Sequence, residues 1–237
     1  MPAIRSVIFD CYSTLIDIRT DEGKKEVFER LSLYLRYYGA SVSAAELKAS
    51  LEREKKRHLK STVERYPEVD LEAVFRRVLE RARLGNPFLA ESCCKLFRLL
   101  SRERFELFPD TLPVLQQMKR AGYGLAVVSD AQKTFCIPEG EMLGLNQFFD
   151  HIVLSTQYGF RKPDPRLFTI ACSLLGVSTA EAVYVGNDPD KDVEGAKGAG
   201  MRVVLVNRGE KAVDGRVKPD FHARDLQQAW RWIEGNS

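Results

Sequence analysis

The chain has 237 residues, of which 44% are hydrophobic and 29% charged. This balance is typical of a globular protein that buries a sizeable apolar core, as one large domain or as a core with a smaller insert. The 36 basic and 33 acidic residues give a net charge of +3, which favours neither a nucleic-acid partner nor a membrane surface. Because the sequence contains no signal peptide or membrane-spanning apolar run, we expect a cytoplasmic protein.

The chain begins with a short apolar strand that ends at a carboxylate. Residues 7–9 read Val-Ile-Phe, a composition typical of a buried strand, and Asp10 follows directly. A buried strand that stops at an aspartate delivers it to the edge of a sheet, where open α/β sheets bind their ligands. Asp10 is therefore the first candidate for a reacting group.

The stretch from about residue 21 to residue 104 is rich in charge and helical in its pattern. Its apolar spacing predicts four helices, at about residues 22–38, 43–60, 68–84 and 89–100. Gly39 is typical of the end of a helix, and Ser43 with Glu46 forms a capping-box pattern at the start of the next. This stretch carries few strand signals, so we expect it to be all-helical.

Strands and helices alternate from residue 108 onwards. Short apolar runs predict strands at residues 125–128, 152–154, 183–185 and 203–206. Helices are predicted at residues 111–120, before residue 152, and at residues 168–175, 193–199 and 226–233. Alternation of this kind implies βαβ units and a parallel sheet. The sequence therefore predicts an α/β fold whose first strand is followed by a helical insert.

Three further groups of polar residues follow predicted strands. They are Ser129-Asp130, the loop Arg161-Lys162-Pro163-Asp164-Pro165, and the acidic loop Gly186-Asn187-Asp188-Pro189-Asp190-Lys191-Asp192. One such group would mean little, because polar residues often begin loops. Four groups on parallel strands, with Asp10 as the first, would converge on one edge of the sheet.

In their order, these motifs resemble those of the haloacid dehalogenase-like hydrolase superfamily. The family pattern has D-x-x-x-T or D-x-x-x-V after the first strand, Ser or Thr after the second, a K-P-D-P-type loop and an acidic loop, and all four appear here in order. The resemblance implies a Rossmann-like catalytic core formed by residues 1–16 and 106–237. It also implies that residues 17–105 are an inserted all-helical cap that covers the active site.

The resemblance assigns catalytic roles to four residues. Asp10 would be the nucleophile, which forms a covalent aspartyl intermediate and so divides one hard step into two. Thr14 would help to fix the nucleophile loop, Ser129 would donate a hydrogen bond to a substrate oxygen, and Lys162 would neutralise charge near Asp10.

The resemblance also implies a magnesium site built from oxygen ligands. Its ligands would be Asp10, the backbone carbonyl of Tyr12, Asp192, and either Asn187 or Asp188. The sequence leaves open which of the last two faces the metal.

Tyr12 departs from the phosphatase pattern. Most phosphatases of this family have a second aspartate there, which protonates the leaving group, and a phenol with a pKa of about 10 is a poorer acid. Tyrosine at this position resembles the 2-haloacid dehalogenase branch, in whose motif a glycine stands at the position of Ser13. The acidic loop favours the other branch, because it is richer in acid than the loop of the metal-free dehalogenases.

We therefore expect a hydrolase, and favour a magnesium-dependent phosphatase that acts on a small, anionic phosphorylated metabolite. A metal-independent 2-haloacid dehalogenase is the first alternative, with Arg36 as the positional candidate for that enzyme's cap arginine. A weakly active binding or regulatory protein with the same fold is the second. Neither the substrate nor the oligomeric state follows from the sequence.

Overall fold

The computed structural model describes residues 2–209 and 215–237, and its centre is a parallel β-sheet. The strands are β1 (Ser6–Phe9), β2 (Ile16–Thr20), β3 (Arg102–Leu107), β4 (Gly124–Ser129), β5 (His151–Leu154), β6 (Ala182–Gly186), β7 (Arg202–Val206) and β8 (Phe221–Ala223). Six of them form the sheet in the order β5-β4-β1-β6-β7-β8, and every neighbouring pair is parallel. The predicted α/β fold with a parallel sheet is confirmed.

The helices follow the predicted pattern closely. They are α1 (Lys25–Tyr37), α2 (Ala44–Ser61), α3 (Leu71–Arg81), α4 (Leu89–Ser101), α5 (Thr111–Arg120), α6 (Lys133–Met142), α7 (Pro165–Leu174), α8 (Glu194–Gly198) and α9 (Leu226–Glu234). The capping box at the start of α2 is confirmed, since the Ser43 hydroxyl accepts from the Glu46 N–H and the Glu46 carboxylate accepts from the Ser43 N–H.

Helices cover both faces of the sheet, and β1 shows why its residues alternate between two apolar layers. Val7 and Phe9 belong to the cluster that includes residues of α5 and α9, whereas Ile8 belongs to the cluster that includes residues of α7 and α8. All three side chains are fully buried. A strand covered on both faces needs apolar residues in succession, which explains the unbroken Val-Ile-Phe run.

Helices α1 to α4, called the helical insert below, have an apolar core of their own. Phe97 lies at its centre and makes edge-on ring contacts with Phe28 and Phe75, at centroid distances of 6.2 and 6.1 Å. Phe135 of α6 also packs into this cluster, while its neighbour Cys136 packs under the sheet. Helix α6 therefore contributes to both cores and seats the insert on the sheet.

An antiparallel ribbon of β2 and β3 connects the helical insert to the sheet. The sequence did not predict these strands, because β3 reads Arg-Glu-Arg-Phe-Glu-Leu and none of its residues is fully buried. The division of the chain at residues 17 and 105 stays a prediction. Among the described residues, no helix has the length and apolar character needed to cross a membrane.

Candidate active site

Asp10 lies at the carboxyl edge of the sheet, directly after the central strand β1. Its backbone N–H continues the ladder to β6 by donating to the Val185 carbonyl at 2.9 Å. Its side chain is only 8% exposed. The carboxylate is therefore held by the sheet in a site largely closed to solvent.

Lys162 brings two of the sequence motifs together at Asp10. Its ammonium donates to Asp10 Oδ1 at 2.7 Å and to Asp192 Oδ1 at 2.6 Å. Burial opposes the charge on Lys162, but the two carboxylates raise the pKa of this ammonium above its usual value. Lys162 is therefore a fixed cation at the edge of the sheet.

The carboxyl group of Asp10 is less acidic than usual. Burial raises its pKa to about 6, Lys162 acts in the opposite direction, and Asp192 adds to the increase. With Asp10 and Asp192 ionised, two carboxylates face one ammonium, and the group has one net negative charge. Such a buried group favours binding of a further cation.

Thr14 and Asn187 contribute oxygens on the other side of Asp10. The buried Thr14 hydroxyl lies 3.2 Å from Asp10 Oδ2 and 3.1 Å from the amide oxygen of Asn187. The amide oxygen of Asn187 therefore lies beside the nucleophile loop, although the two residues are far apart in the sequence.

Asp188 is directed into its own turn. Its Oδ1 accepts from the N–H groups of Asp190 and Lys191, at 3.0 Å each, and so caps the helical turn that follows β6. Asp192 Oδ2 accepts from the N–H groups of Asn187 and Asp188, at 2.9 and 3.0 Å. Of the two alternatives for the metal, the structure brings Asn187, and not Asp188, next to the Thr14 hydroxyl.

The oxygens in this site fit a magnesium ion. Magnesium takes oxygen ligands and is commonly bound through one or two carboxylates, waters and a substrate phosphate. Asp10 and Asp192 supply carboxylates, and Asn187 supplies an amide oxygen. Within residues 2–209 and 215–237, no group of three or more acidic, histidine or cysteine side chains forms a metal cluster. A cation here would therefore depend on the amide and on backbone oxygen, such as the Tyr12 carbonyl, as well.

Ser129 is the last residue of β4, the neighbour of β1 in the sheet. In the register of the two strands Val127 is level with Phe9, so Ser129 reaches one residue beyond the level of Asp10. Its side chain is buried. The structure therefore brings Ser129 to the same edge of the sheet as Asp10 and Lys162.

The Tyr12 side chain belongs to a second network. Its hydroxyl donates to Glu139 Oε2 of α6 at 2.5 Å, and Arg98 of α4 donates to both oxygens of Glu139, at 2.8 and 3.0 Å. The Arg98 guanidinium also lies 4.9 Å from the centre of the Tyr12 ring. This Tyr12–Glu139–Arg98 network joins the nucleophile loop, the six-stranded sheet with helices α5 to α9 (called the sheet domain below) and the helical insert.

The environment of Tyr12 makes its phenol a weaker acid. Burial, followed by the Cys136 thiol and Glu139, raises the pKa of Tyr12 above its usual value. Sequence reasoning did not single out Arg98 or Glu139, since neither lies in a motif. A local sign in the sequence of α6 is Pro138, which lies inside the helix next to Glu139.

Ser13 has a left-handed backbone conformation, with φ of +64°. Glycine adopts this conformation without strain, whereas a residue with a Cβ atom incurs a cost of about 1–2 kcal/mol. This geometry explains why a glycine suits this position in the dehalogenase motif. In this chain a serine adopts the left-handed conformation.

A comparison with known families identifies the family of the chain. The family model for haloacid dehalogenase-like hydrolases matches residues 4–200. The chain belongs to this family. It is therefore an enzyme of the hydrolase class, and the resemblance inferred from the motifs is confirmed.

Phosphatases are among the known proteins to which the chain is similar. It is 36% identical to a phosphoserine phosphatase of Thermus thermophilus over 159 residues, which cover 67% of this chain and 63% of that protein. That match spans less than two thirds of the relative's length. The chain is also 28% identical to a ribulose-1,5-bisphosphate 5-phosphatase of Halopiger xanaduensis over 229 residues, which cover 94% of this chain and 92% of the relative.

The fold of this hydrolase is also that of a solved dehalogenase. The crystal structure of a 2-haloacid dehalogenase from Pseudomonas syringae superposes with a TM-score of 0.73 over 98% of each chain, at 25% identity. Both branches considered from the sequence are thus represented among the similar proteins.

Proposed function

We propose that this hydrolase is a magnesium-dependent phosphatase that removes the phosphoryl group of a small phosphorylated metabolite through a covalent intermediate on Asp10. The observation that carries the proposal is the buried group in which Lys162 contacts Asp10 and Asp192 while Asn187 lies alongside. It combines a nucleophile, a fixed cation and oxygen ligands, the set of groups that phosphoryl transfer needs. The similarity of the chain to phosphatases supports the same conclusion.

The residues of the site would divide the work. Lys162 orients the Asp10 carboxylate and stabilises negative charge on the transferring phosphoryl group, and Ser129 donates to a phosphoryl oxygen. The magnesium ion would be held by Asp10, Asp192, Asn187 and the Tyr12 carbonyl. When bound, magnesium supplies positive charge that offsets the charge of the phosphate.

The helical insert would act as the cap of this site. Its segment between α2 and α3 lies on the loop that carries Lys162, where the Arg161 N–H donates to the Tyr66 carbonyl at 2.8 Å. Nearby, the Ser155 hydroxyl donates to Glu68 at 2.6 Å. A cap in contact with the catalytic loops excludes water during the transfer and shapes the space for the leaving group.

Phosphate release from a panel of phosphomonoesters, with magnesium and with EDTA, tests the proposal. We expect activity that needs magnesium, loss of activity in Asp10→Asn, and a phosphorylated Asp10 in acid-quenched protein analysed by mass spectrometry. Undiminished activity in Asp10→Asn, or equal activity in EDTA, would contradict it.

Two matched variants test the metal ligands. Asn187→Leu removes the amide oxygen beside Asp10 and should raise the magnesium concentration for half-maximal activity at least tenfold. Asp188→Asn keeps the oxygen that caps the turn and should change that concentration little. The reverse order would assign the metal to Asp188.

A 2-haloacid dehalogenase remains the second candidate, because Tyr12 resembles that branch and a dehalogenase structure is similar. Arg36, the positional candidate for the cap arginine, is exposed on α1. Chloride release from 2-chloropropionate in EDTA tests this function. Chloride release without phosphate release would replace the proposed phosphatase by a dehalogenase.

A further inference from the structure

The proposed phosphatase reaction has one requirement that Tyr12 does not meet. Expelling an alkoxide from an alkyl phosphate needs a proton, which a positioned acid supplies at a gain of about 10²–10⁴-fold. The Tyr12 hydroxyl directs its proton to Glu139 at 2.5 Å, and its raised pKa makes it a poor donor. The acid for the leaving group must therefore come from another residue.

Asp130 has a carboxyl oxygen in need of a partner. It follows Ser129 directly, and its Oδ1 accepts from the backbone N–H of Lys162 at 2.8 Å. Its Oδ2 is buried and has no hydrogen-bond partner among the residues that the structure describes. Because buried polar atoms are almost always paired, such an atom suggests a missing donor or acceptor. A bound substrate or a shared proton would satisfy it.

The surroundings of Asp130 make its carboxyl group hold a proton more readily than an exposed aspartate does. Burial raises the pKa of Asp130, and Glu68 on the helical insert adds to this effect. Lys162 and Lys191, on the two neighbouring loops of the sheet domain, act in the opposite direction but do not cancel it. Asp130 therefore lies near both Lys162 and Glu68, where the edge of the sheet that carries Asp10 meets the helical insert. The part of a substrate beyond its phosphoryl group would lie on this side.

We propose that Asp130 is the general acid that protonates the leaving group, in the role that a second aspartate near the nucleophile would otherwise have. This inference rests on the proposed phosphatase function. In the first step, Asp10 forms a bond to phosphorus and the bond to the leaving oxygen breaks. That oxygen takes the electron pair and the Asp130 proton, so an alcohol departs and Asp130 becomes a carboxylate.

The second step restores both groups. Water attacks phosphorus and gives its proton to the Asp130 carboxylate. The bond between phosphorus and Asp10 breaks, and its electron pair returns to Asp10. The products are hydrogen phosphate, ionised Asp10 and protonated Asp130, so one phosphomonoester and one water yield one alcohol and one phosphate.

The dependence on the leaving group tests the role of Asp130. In Asp130→Asn the amide oxygen can still accept from the Lys162 N–H, but the acidic proton is lost. We expect kcat/KM for glycerol 2-phosphate to fall about 10²–10⁴-fold. For p-nitrophenyl phosphate, whose phenolate leaves without a proton, kcat/KM should fall less than tenfold. This parameter stops at the first irreversible step, so loss of the base in the second step does not enter.

A measurement on the unaltered protein gives a second test that needs no variant. The pH profile of kcat/KM for glycerol 2-phosphate should have an alkaline limb that is absent for p-nitrophenyl phosphate, because the acid must be protonated for the alkyl substrate alone. Identical alkaline limbs for the two substrates would overturn the role of Asp130, as would an equal fall for both in Asp130→Asn.

These results separate the two proposals. If the unaltered protein hydrolyses both substrates and Asp10→Asn hydrolyses neither, the phosphatase function holds. An equal effect of Asp130→Asn on both substrates then overturns the acid assignment alone. If the unaltered protein hydrolyses no phosphomonoester, both proposals fail together.

Discussion

Asp10 and Tyr12 lie two residues apart in one loop, yet their side chains enter two different buried networks. The Asp10 network lies within the sheet domain and contains two carboxylates and one ammonium. In the Tyr12–Glu139–Arg98 network, one carboxylate faces the bidentate Arg98, with Arg102 at 3.7 Å, and the network crosses to the helical insert. The Asp10 network has an excess of negative charge, which suits it to binding a cation. The second has its buried charges paired and serves to hold two parts of the protein together.

We expect the largest effect from a variant that breaks the Tyr12–Glu139–Arg98 network. Glu139→Ala leaves the buried Arg98 without its carboxylate, and removal of one partner of a buried pair costs about 3–5 kcal/mol. Urea denaturation should show this loss in the free energy of unfolding. The double variant Arg98→Met, Glu139→Met should recover most of it, whereas Glu91→Ala in the exposed Lys95–Glu91 pair should change little. A loss in Glu139→Ala no greater than that in Glu91→Ala would show that the network does not hold the fold.

The next effect concerns the chemistry of the Asp10 network. Lys162→Met removes the cation that contacts Asp10 and should lower kcat/KM for p-nitrophenyl phosphate about 10²–10³-fold. Lys119→Met, at an exposed ion pair with Asp150, is the matched control and should leave the rate unchanged. Equal rates for the two variants would remove Lys162 from the proposed mechanism.

The pH dependence of stability tests the raised pKa of Asp10 in the first network. The pKa of Asp10 is about 6 in the folded protein, and an unfolded aspartate has a pKa of about 3.9. As the pH rises through this interval the unfolded state ionises first, so the folded protein loses stability, on the order of 3 kcal/mol by pH 7. Asp10→Asn lacks this loss. Its melting temperature in EDTA should therefore rise relative to the unaltered protein between pH 4.5 and 7. A constant difference would contradict the raised pKa.

The smallest expected effect concerns the loop that links the two networks. Ser13→Gly relieves the strain of a positive φ and should stabilise the protein by about 1 kcal/mol. Ser13→Ala keeps the Cβ atom and should give no such gain. A thermal unfolding comparison of the two variants measures the difference, and equal stabilities would show that the turn is not strained.

Much of the fold could be predicted from local patterns. The Val-Ile-Phe run before Asp10 specifies a buried strand, and Ser43 with Glu46 specifies the start of α2, since burial and capping depend on neighbours in the chain. The ribbon of β2 and β3 could not be predicted in this way. Its two strands are stabilised by pairing with each other, although the whole helical insert separates them in the sequence. In addition, β3 has the composition of an exposed segment.

The site shows the same division between local and long-range information. Motif order alone was enough to nominate Asp10, Thr14, Ser129, Lys162 and Asp192, because parallel strands bring their carboxyl ends to one edge. The choice between Asn187 and Asp188 required coordinates, since it depends on which side chain turns back to cap its own loop. Their catalytic and metal-binding roles stay predictions, to be tested by the variants above.

The sequence by itself determined the α/β fold, the edge of the sheet that carries Asp10, and the hydrolase family. Each of these follows from short-range periodicity or from the order of motifs. Only the tertiary structure decided the environment of Tyr12 and of Asp130. Glu139, Arg98 and Glu68 reach these residues from distant parts of the chain. Burial and long-range charge, which set the acidity of a group, have no local signature in the sequence.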